Sequence, residues 1–74
     1  MSNDDEILKK HSVVIAGHQT SVTLENIFWS TLKNIARDEK KSLKELITEI
    51  DADRTTNLSS AIRVYVLKRS RPNH

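Results

Sequence analysis

The fold is decided by the stretch SVVIAGHQTSVTL, residues 12–24 of the chain. Most of its residues are β-branched or small, as is typical of strands, and the only glycine of the sequence, Gly17, lies near its middle. A two-residue turn at Gly17 and His18 suits the type II′ geometry, in which glycine takes the positive φ of the first turn position. The stretch is therefore predicted to form a β-hairpin in which Ile15 pairs with Thr20.

Side chains alternate along such a hairpin and divide it into two faces of different chemistry. The inner face is apolar apart from one threonine and consists of Val13, Ile15, Thr20, Val22 and Leu24. The outer face is largely polar and consists of Ser12, Val14, Ala16, Gln19, Ser21 and Thr23. We therefore expect the inner face to pack on a core and the outer face to be exposed.

Two helical segments follow the hairpin. The first is predicted to start near Glu25, whose carboxylate favours the positive end of the helix dipole, and to run to about Glu39. The second begins with a capping box, in which the Ser42 hydroxyl accepts from the backbone N–H of Glu45 and the Glu45 carboxylate accepts from that of Ser42. Apolar residues then recur at helical spacing, at Leu43, Leu46, Ile47 and Ile50.

A third helix is predicted from Leu58 to about Lys68, with Asn57 as its N-cap. One apolar stripe consists of Leu58, Ala61, Ile62, Tyr65 and Val66, and a second contains Val64 and Leu67. A helix that is apolar over so much of its circumference is expected to be buried on more than one side. In so short a chain the expected cover is a second subunit, which gives an intertwined homodimer. A tetramer stays possible at this point.

Size and composition fit one small domain. The 74 residues include no cysteine, which excludes disulfides, so a partner subunit is the expected source of additional stability. The first residues are acidic where a signal peptide would be basic, and no apolar run approaches the roughly 20 residues needed to span a membrane. We expect a cytoplasmic protein with no membrane contact, in which residues 1–9 form a mobile arm, 10–69 the domain and 70–74 a tail.

The charge distribution suits nucleic acid or another polyanionic partner. The net charge is +2, but residues 9–74 carry +5 because three acidic residues lie at the N-terminus. A glycine-rich phosphate loop, cysteine and a supported Ser-His-Asp grouping are all missing, so no enzyme activity is expected. The three histidines, His11, His18 and His74, lack the spacing of a metal site, and neither a metal nor another cofactor is expected.

Several runs of the sequence together resemble a known family. They are SVVIAGHQTSVTLE at residues 12–25, Phe28 and Trp29, Leu32, Ser42 and Leu43, Ile50 and Asp51, and NLSSAIRV at residues 57–64. This pattern resembles a bacterial family of short ribbon-helix-helix proteins, in the superfamily of the Arc and methionine repressors. The resemblance covers roughly residues 10–68. It implies a mostly α fold with a short N-terminal β-ribbon and an additional C-terminal helix.

The resemblance also implies a function, that of a transcriptional regulator whose paired ribbons enter the DNA major groove. Its implied base-reading residues are Gln19, Ser21 and Thr23. The implied phosphate contacts are Lys41, Ser42 and Leu43, and His18 is expected either to serve the turn or to contact a phosphate. Only Gln19 among the base readers can make a bidentate contact, which suits adenine. An alternative is therefore a protein-interaction module that keeps the dimeric scaffold without sequence-specific DNA binding.

Overall fold

The computed structural model of the protein describes residues 3–70, which form a two-stranded β-ribbon followed by three α-helices. This arrangement confirms the predicted fold class. A short 3-10 turn precedes the ribbon, and none of the helices in this part of the chain is long and apolar enough to cross a membrane. The elements are the 3-10 turn Asn3–Glu6, β1 (Leu8–Ile15), β2 (His18–Glu25), α1 (Asn26–Asp38), α2 (Leu43–Asp53) and α3 (Leu58–Ser70).

The turn of the ribbon lies one residue earlier than the sequence predicted. Ala16 and Gly17 form its centre with φ values of 52° and 81°, and Ile15 pairs with His18. Two positive φ values are typical of a type I′ turn, so the predicted type II′ turn and the pairing of Ile15 with Thr20 are wrong. The partner of each residue moves by two positions, which leaves every side chain on its predicted face. The hydrophobic alternation therefore could not distinguish the two registers.

The two faces of the ribbon have the exposure that the alternation predicted. On the inner face Val22, Leu24 and Ile15 are buried, while Val13 and Thr20 are half-buried. All six residues of the predicted outer face are exposed. The inner face packs on a core to which the helices contribute Leu32, Ala36, Leu46, Ile47, Ile50, Ile62 and Val66.

Regular structure begins with the 3-10 turn Asn3–Glu6, before Lys10, at which the ordered domain was predicted to start. The backbone N–H of Asn26 donates to the carbonyl of Ile7 at 2.9 Å, and its side-chain amide donates to the carbonyl of Asp4 at 2.8 Å. These bonds tie the N-terminal segment to the start of α1. The limits of the arm, domain and tail stay predictions, and residues 1–2 and 71–74 lie outside the described part of the chain.

Both predicted helix caps are present. The Ser42 hydroxyl accepts from the Glu45 N–H at 3.0 Å, and the Glu45 carboxylate accepts from the Ser42 N–H at 2.9 Å, which completes the capping box. At the start of α3, the side-chain oxygen of Asn57 accepts from the N–H of Ser60 at 2.8 Å. Each bond satisfies a donor that the helix itself leaves free.

A ring stack joins β1 to α1. The ring centroids of His11 and Trp29 are 3.8 Å apart, and the angle between the ring planes is 7°. Its Nε2 atom is buried and has no hydrogen-bond partner among the described residues. Burial lowers the pKa of His11, and the charges of Lys9 and Lys33 lower it further. The neutral ring is therefore the form that suits this stack.

The type I′ turn leads to a prediction for Ala16. Ala16→Asn should raise the free energy of unfolding by about 1 kcal/mol, because asparagine tolerates the left-handed conformation better and Asn-Gly is a preferred type I′ pair. Urea denaturation measures the change. Ala52→Asn, at an exposed position of α2, is the control and should be slightly destabilising. A loss of stability in Ala16→Asn would contradict this turn. It would instead indicate the turn at Gly17 and His18, which places residue 16 in a strand, where asparagine is unfavourable.

Candidate nucleic-acid interface

The outer face of the ribbon is an exposed surface built from cross-strand pairs. The expected base readers occupy alternate positions of β2, about 6.7 Å apart along the strand. Each lies opposite a residue of β1 on the same face. From the turn outward the pairs are Val14 with Gln19, Ser12 with Ser21, and Lys10 with Thr23. The structure thus brings Gln19, Ser21 and Thr23 together on one surface.

The three expected base readers on this face have neutral hydrogen-bonding groups. Gln19 carries an amide that can both donate and accept, whereas Ser21 and Thr23 each offer one hydroxyl. Val14 and Ala16 add apolar contact area beside Gln19. Such a surface can form hydrogen bonds with base edges and van der Waals contacts with thymine methyl groups.

Two contacts with α3 hold the end of β2 in place. The backbone N–H of Thr23 donates to the hydroxyl of Ser59 at 3.3 Å, and the guanidinium of Arg63 donates to the carboxylate of Glu25 at 2.9 Å. The hydrogen bond from Arg63 lowers the pKa of Glu25. The same guanidinium lies 6.0 Å from the centroid of the Phe28 ring. Helix α3 therefore supports the outer face at the end of β2 that lies farther from the turn.

Lys10 belongs to the outer face and was missed in the sequence. The hairpin was predicted to begin at Ser12, whereas β1 begins at Leu8 and includes four more residues. The alternation of side chains along a strand could have identified it, because Lys10 precedes Ser12 by two residues and therefore shares its face. The polar character of residues 9–11 obscured this signal.

The expected phosphate site at the start of α2 is partly occupied by the chain itself. The N–H of Ser42 donates to the Glu45 carboxylate, which therefore lies at the helix N-terminus where a phosphate was expected. Hydrogen bonds from Ser42 and the nearby charge of Lys41 lower the pKa of Glu45, so this carboxylate stays ionised at neutral pH. Among the described residues, the N–H groups of Leu43 and Lys44 in the same turn have no acceptor.

Lys41 is engaged in ion pairs within the protein. Its ammonium lies 2.7 Å from the carboxylate of Glu49 and 3.4 Å from that of Glu39, and both raise its pKa. Glu39 also pairs with Arg69 near the end of α3. This cluster connects the ends of α1 and α3 with α2. The side chain expected to bind phosphate therefore stabilises the packing of the three helices.

The expected phosphate contacts lie on two different elements of the structure. His18 begins β2 beside the turn and is exposed, so it lies at the tip of the ribbon, whereas Lys41, Ser42 and Leu43 lie at the start of α2. Exposed Lys40 and Lys44 flank that helix start, and neither makes an ion pair with a described residue. Residues 3–70 contain no cluster of three or more side chains arranged to hold a metal ion.

Comparison with known proteins identifies a family and a solved structure of similar fold. Residues 8–70 match a family described as the ribbon-helix-helix domain. The chain is similar to an uncharacterized protein from Bordetella pertussis Tohama I, with a TM-score of 0.80 and 25% sequence identity over 93% of this chain. It spans 60% of that protein's chain. A search of the curated proteins finds no significant match.

The position of Glu45 leads to a prediction for duplex DNA binding. Glu45→Gln should strengthen binding by about twofold to fivefold, because it removes a negative charge from the helix N-terminus while glutamine still accepts from Ser42. Fluorescence anisotropy at low salt measures the dissociation constant. Asp53→Asn is the matched control, since it removes the same charge at the opposite end of α2. An equal effect of both variants would show that only net charge matters and that no phosphate approaches this helix start.

Proposed function

Since the chain belongs to the ribbon-helix-helix domain family, we propose that it is a transcriptional regulator whose homodimer binds double-stranded DNA. The observation that carries the proposal is the outer face of the ribbon, where three exposed polar side chains lie at alternate positions of β2. The major groove is wide enough to admit a two-stranded β-ribbon. In the proposed complex, Gln19, Ser21 and Thr23 contact base edges.

Gln19 makes the most selective of these contacts. Its amide can donate to N7 and accept from the N6 amino group of one adenine, a bidentate pair that contributes about 1–3 kcal/mol of discrimination. Ser21 and Thr23 make single hydrogen bonds or contact thymine methyl groups. A site recognised in this way contains adenine opposite Gln19 and tolerates more variation beside the other two residues.

Phosphate contacts supply the part of the affinity that does not depend on sequence. The free N–H of Leu43 at the start of α2 supports a phosphate contact there, and His18 supports another at the tip of the ribbon. Ser42 fixes this helix start through its capping hydrogen bond, and Lys41 stabilises the same region through its ion pairs with Glu39 and Glu49. Exposed Lys40 and Lys44 provide positive charge on both sides of this helix start.

A second copy of the chain is the proposed cover for α3. Val64 and Leu67 remain 49% and 56% exposed, although their helix contributes Ile62 and Val66 to the core. Full burial of an exposed aliphatic side chain is favourable by about 1.5–3 kcal/mol, and because these two side chains are already about half-buried, covering the remainder contributes roughly half of that each. An intertwined homodimer would bury them and would also bring two ribbons together on one DNA site.

The proposal includes neither a chemical reaction nor a cofactor, because ribbon-helix-helix domains are a non-enzymatic regulatory scaffold. A regulator of this kind acts on chromosomal DNA, so the proposal also includes a cytoplasmic location. The operator sequence can be identified by selection of bound duplexes from a random library.

The proposed base contact of Gln19 gives the central test. Gln19→Ala should weaken binding to a selected site by about 5-fold to 150-fold, while binding to random duplex stays within about twofold. Binding of the wild-type protein should fall steeply as salt rises, because phosphate contacts release counterions. Fluorescence anisotropy over a salt series measures both effects. Asn34→Ala, which removes an exposed amide from α1, is the matched control and should change neither.

Failure to bind any duplex at low salt would contradict the proposal. That result would favour the second candidate function, a protein-interaction module that uses the same scaffold. Two observations support this candidate, namely the exposed apolar residues of α3 and an open groove of about 310 Å³ between α2 and α3. Alanine at position 19 would then leave partner binding unchanged.

The proposed homodimer gives a separate prediction. Leu67→Glu should shift the protein from dimer to monomer, because it places a charge in an apolar contact. Sedimentation equilibrium measures the mass of the species in solution. Ala52→Glu introduces the same charge at an exposed position of α2 and should leave the dimer intact. A wild-type protein that sediments as a monomer at all concentrations would contradict this part of the proposal.

A further inference from the structure

We propose that Lys10 is a base-reading residue that recognises guanine next to the base contacted by Thr23. This inference rests on the proposed function and adds strand β1 to the reading surface. It concerns a residue on the outer face of the ribbon that is exposed and lies directly opposite Thr23 in the register. The recognised group is the edge of guanine that carries O6 and N7.

The geometry of the pair brings Lys10 close to Thr23. The backbone N–H of Thr23 donates to the hydroxyl of Ser59, so it points away from β1. Lys10 and Thr23 therefore form a non-hydrogen-bonded pair of the ladder, in which the two Cα atoms are about 4.5 Å apart and the side chains are closest. A base edge that contacts Thr23 is within reach of the flexible lysine side chain.

The charge of Lys10 is available for a ligand. No ion pair among the described residues involves Lys10, whereas Lys41 is held by two carboxylates. The acidic residue nearest on the same face of β2 is Glu25, and its carboxylate is bonded to Arg63 of α3. No internal contact therefore has to break before Lys10 meets DNA.

The chemistry of the face favours guanine as the partner. The side chains of Gln19, Ser21 and Thr23 are neutral, so Lys10 brings the cationic donor to this set. Guanine presents two acceptors in the major groove, and a lysine ammonium donates to both. Adenine would place its N6 amino group against the ammonium, so Lys10 discriminates against adenine at this position.

The neighbouring residue Lys9 offers a matched control. It is exposed and carries the same charge, but it lies opposite Leu24, whose side chain is buried in the core. Lys9 is therefore directed to the inner side of the ribbon. Substitution of either lysine changes the net charge equally, so a difference in effect reports the face and not the charge.

The experiment begins with a duplex selected by the wild-type protein, and its dissociation constant is measured by fluorescence anisotropy for each variant. Lys10→Ala should weaken binding to this duplex by about 5-fold to 150-fold, and Lys9→Ala by no more than about twofold. Replacement of the contacted guanine by 7-deazaguanine should weaken the wild type and leave Lys10→Ala nearly unchanged. Lys10→Arg should retain binding, since arginine also donates to O6 and N7.

Four other outcomes would contradict the assignment of Lys10. Equal losses for the two alanine variants would show a general charge effect and overturn the assignment. A loss for Lys10→Ala that is the same on 7-deazaguanine and random duplexes would show a phosphate contact and also overturn it. Wild-type affinity in Lys10→Ala would overturn this inference alone. Absence of binding by the wild type would overturn the proposed function together with it, and circular dichroism verifies that every variant is folded.

Discussion

Burial of the inner face of the ribbon is the constraint on which the rest of the structure depends. Val22 and Leu24 are fully buried in a core that includes Leu32 of α1 and Ile62 of α3. Because strand side chains alternate, the burial of these two residues directs their neighbours on β2 to the outside. A slip of one residue would expose the apolar side chains and bury the polar ones, so the same packing that stabilises the fold also sets the candidate interface.

The positive charges of the chain serve two different purposes. Lys41 and Arg69 lie in a cluster around Glu39, where they connect the three helices, and Arg63 connects α3 to the ribbon. Lys10 has no such partner among the described residues. Net charge alone therefore overstates the positive charge that is available to a ligand, because part of the basic character is neutralised within the fold. The distribution of ion pairs identifies which cations are left for a ligand.

Features that follow from a short period or spacing in the sequence could be predicted from it. The faces of the ribbon follow from a period of two, and the capping box follows from the three-residue spacing of Ser42 and Glu45, so both were predictable. The register was not predictable from the apolar pattern, since the predicted and observed registers differ by two positions and therefore place the same side chains on each face. Lys10 was missed because its strand end is polar. The pairing of Lys41 with Glu49 joins a loop to a helix eight positions later, and no spacing rule indicates it.

The stack of His11 on Trp29 has an optical consequence. Trp29 is the only tryptophan of the chain, so its emission comes from one ring at the junction between β1 and α1. Indole emission shifts with the polarity of its surroundings, and a protonated imidazole quenches it. The protein thus contains its own fluorophore at the place where the ribbon is seated on the helices. Its spectrum reports whether the first strand is docked, without any added label.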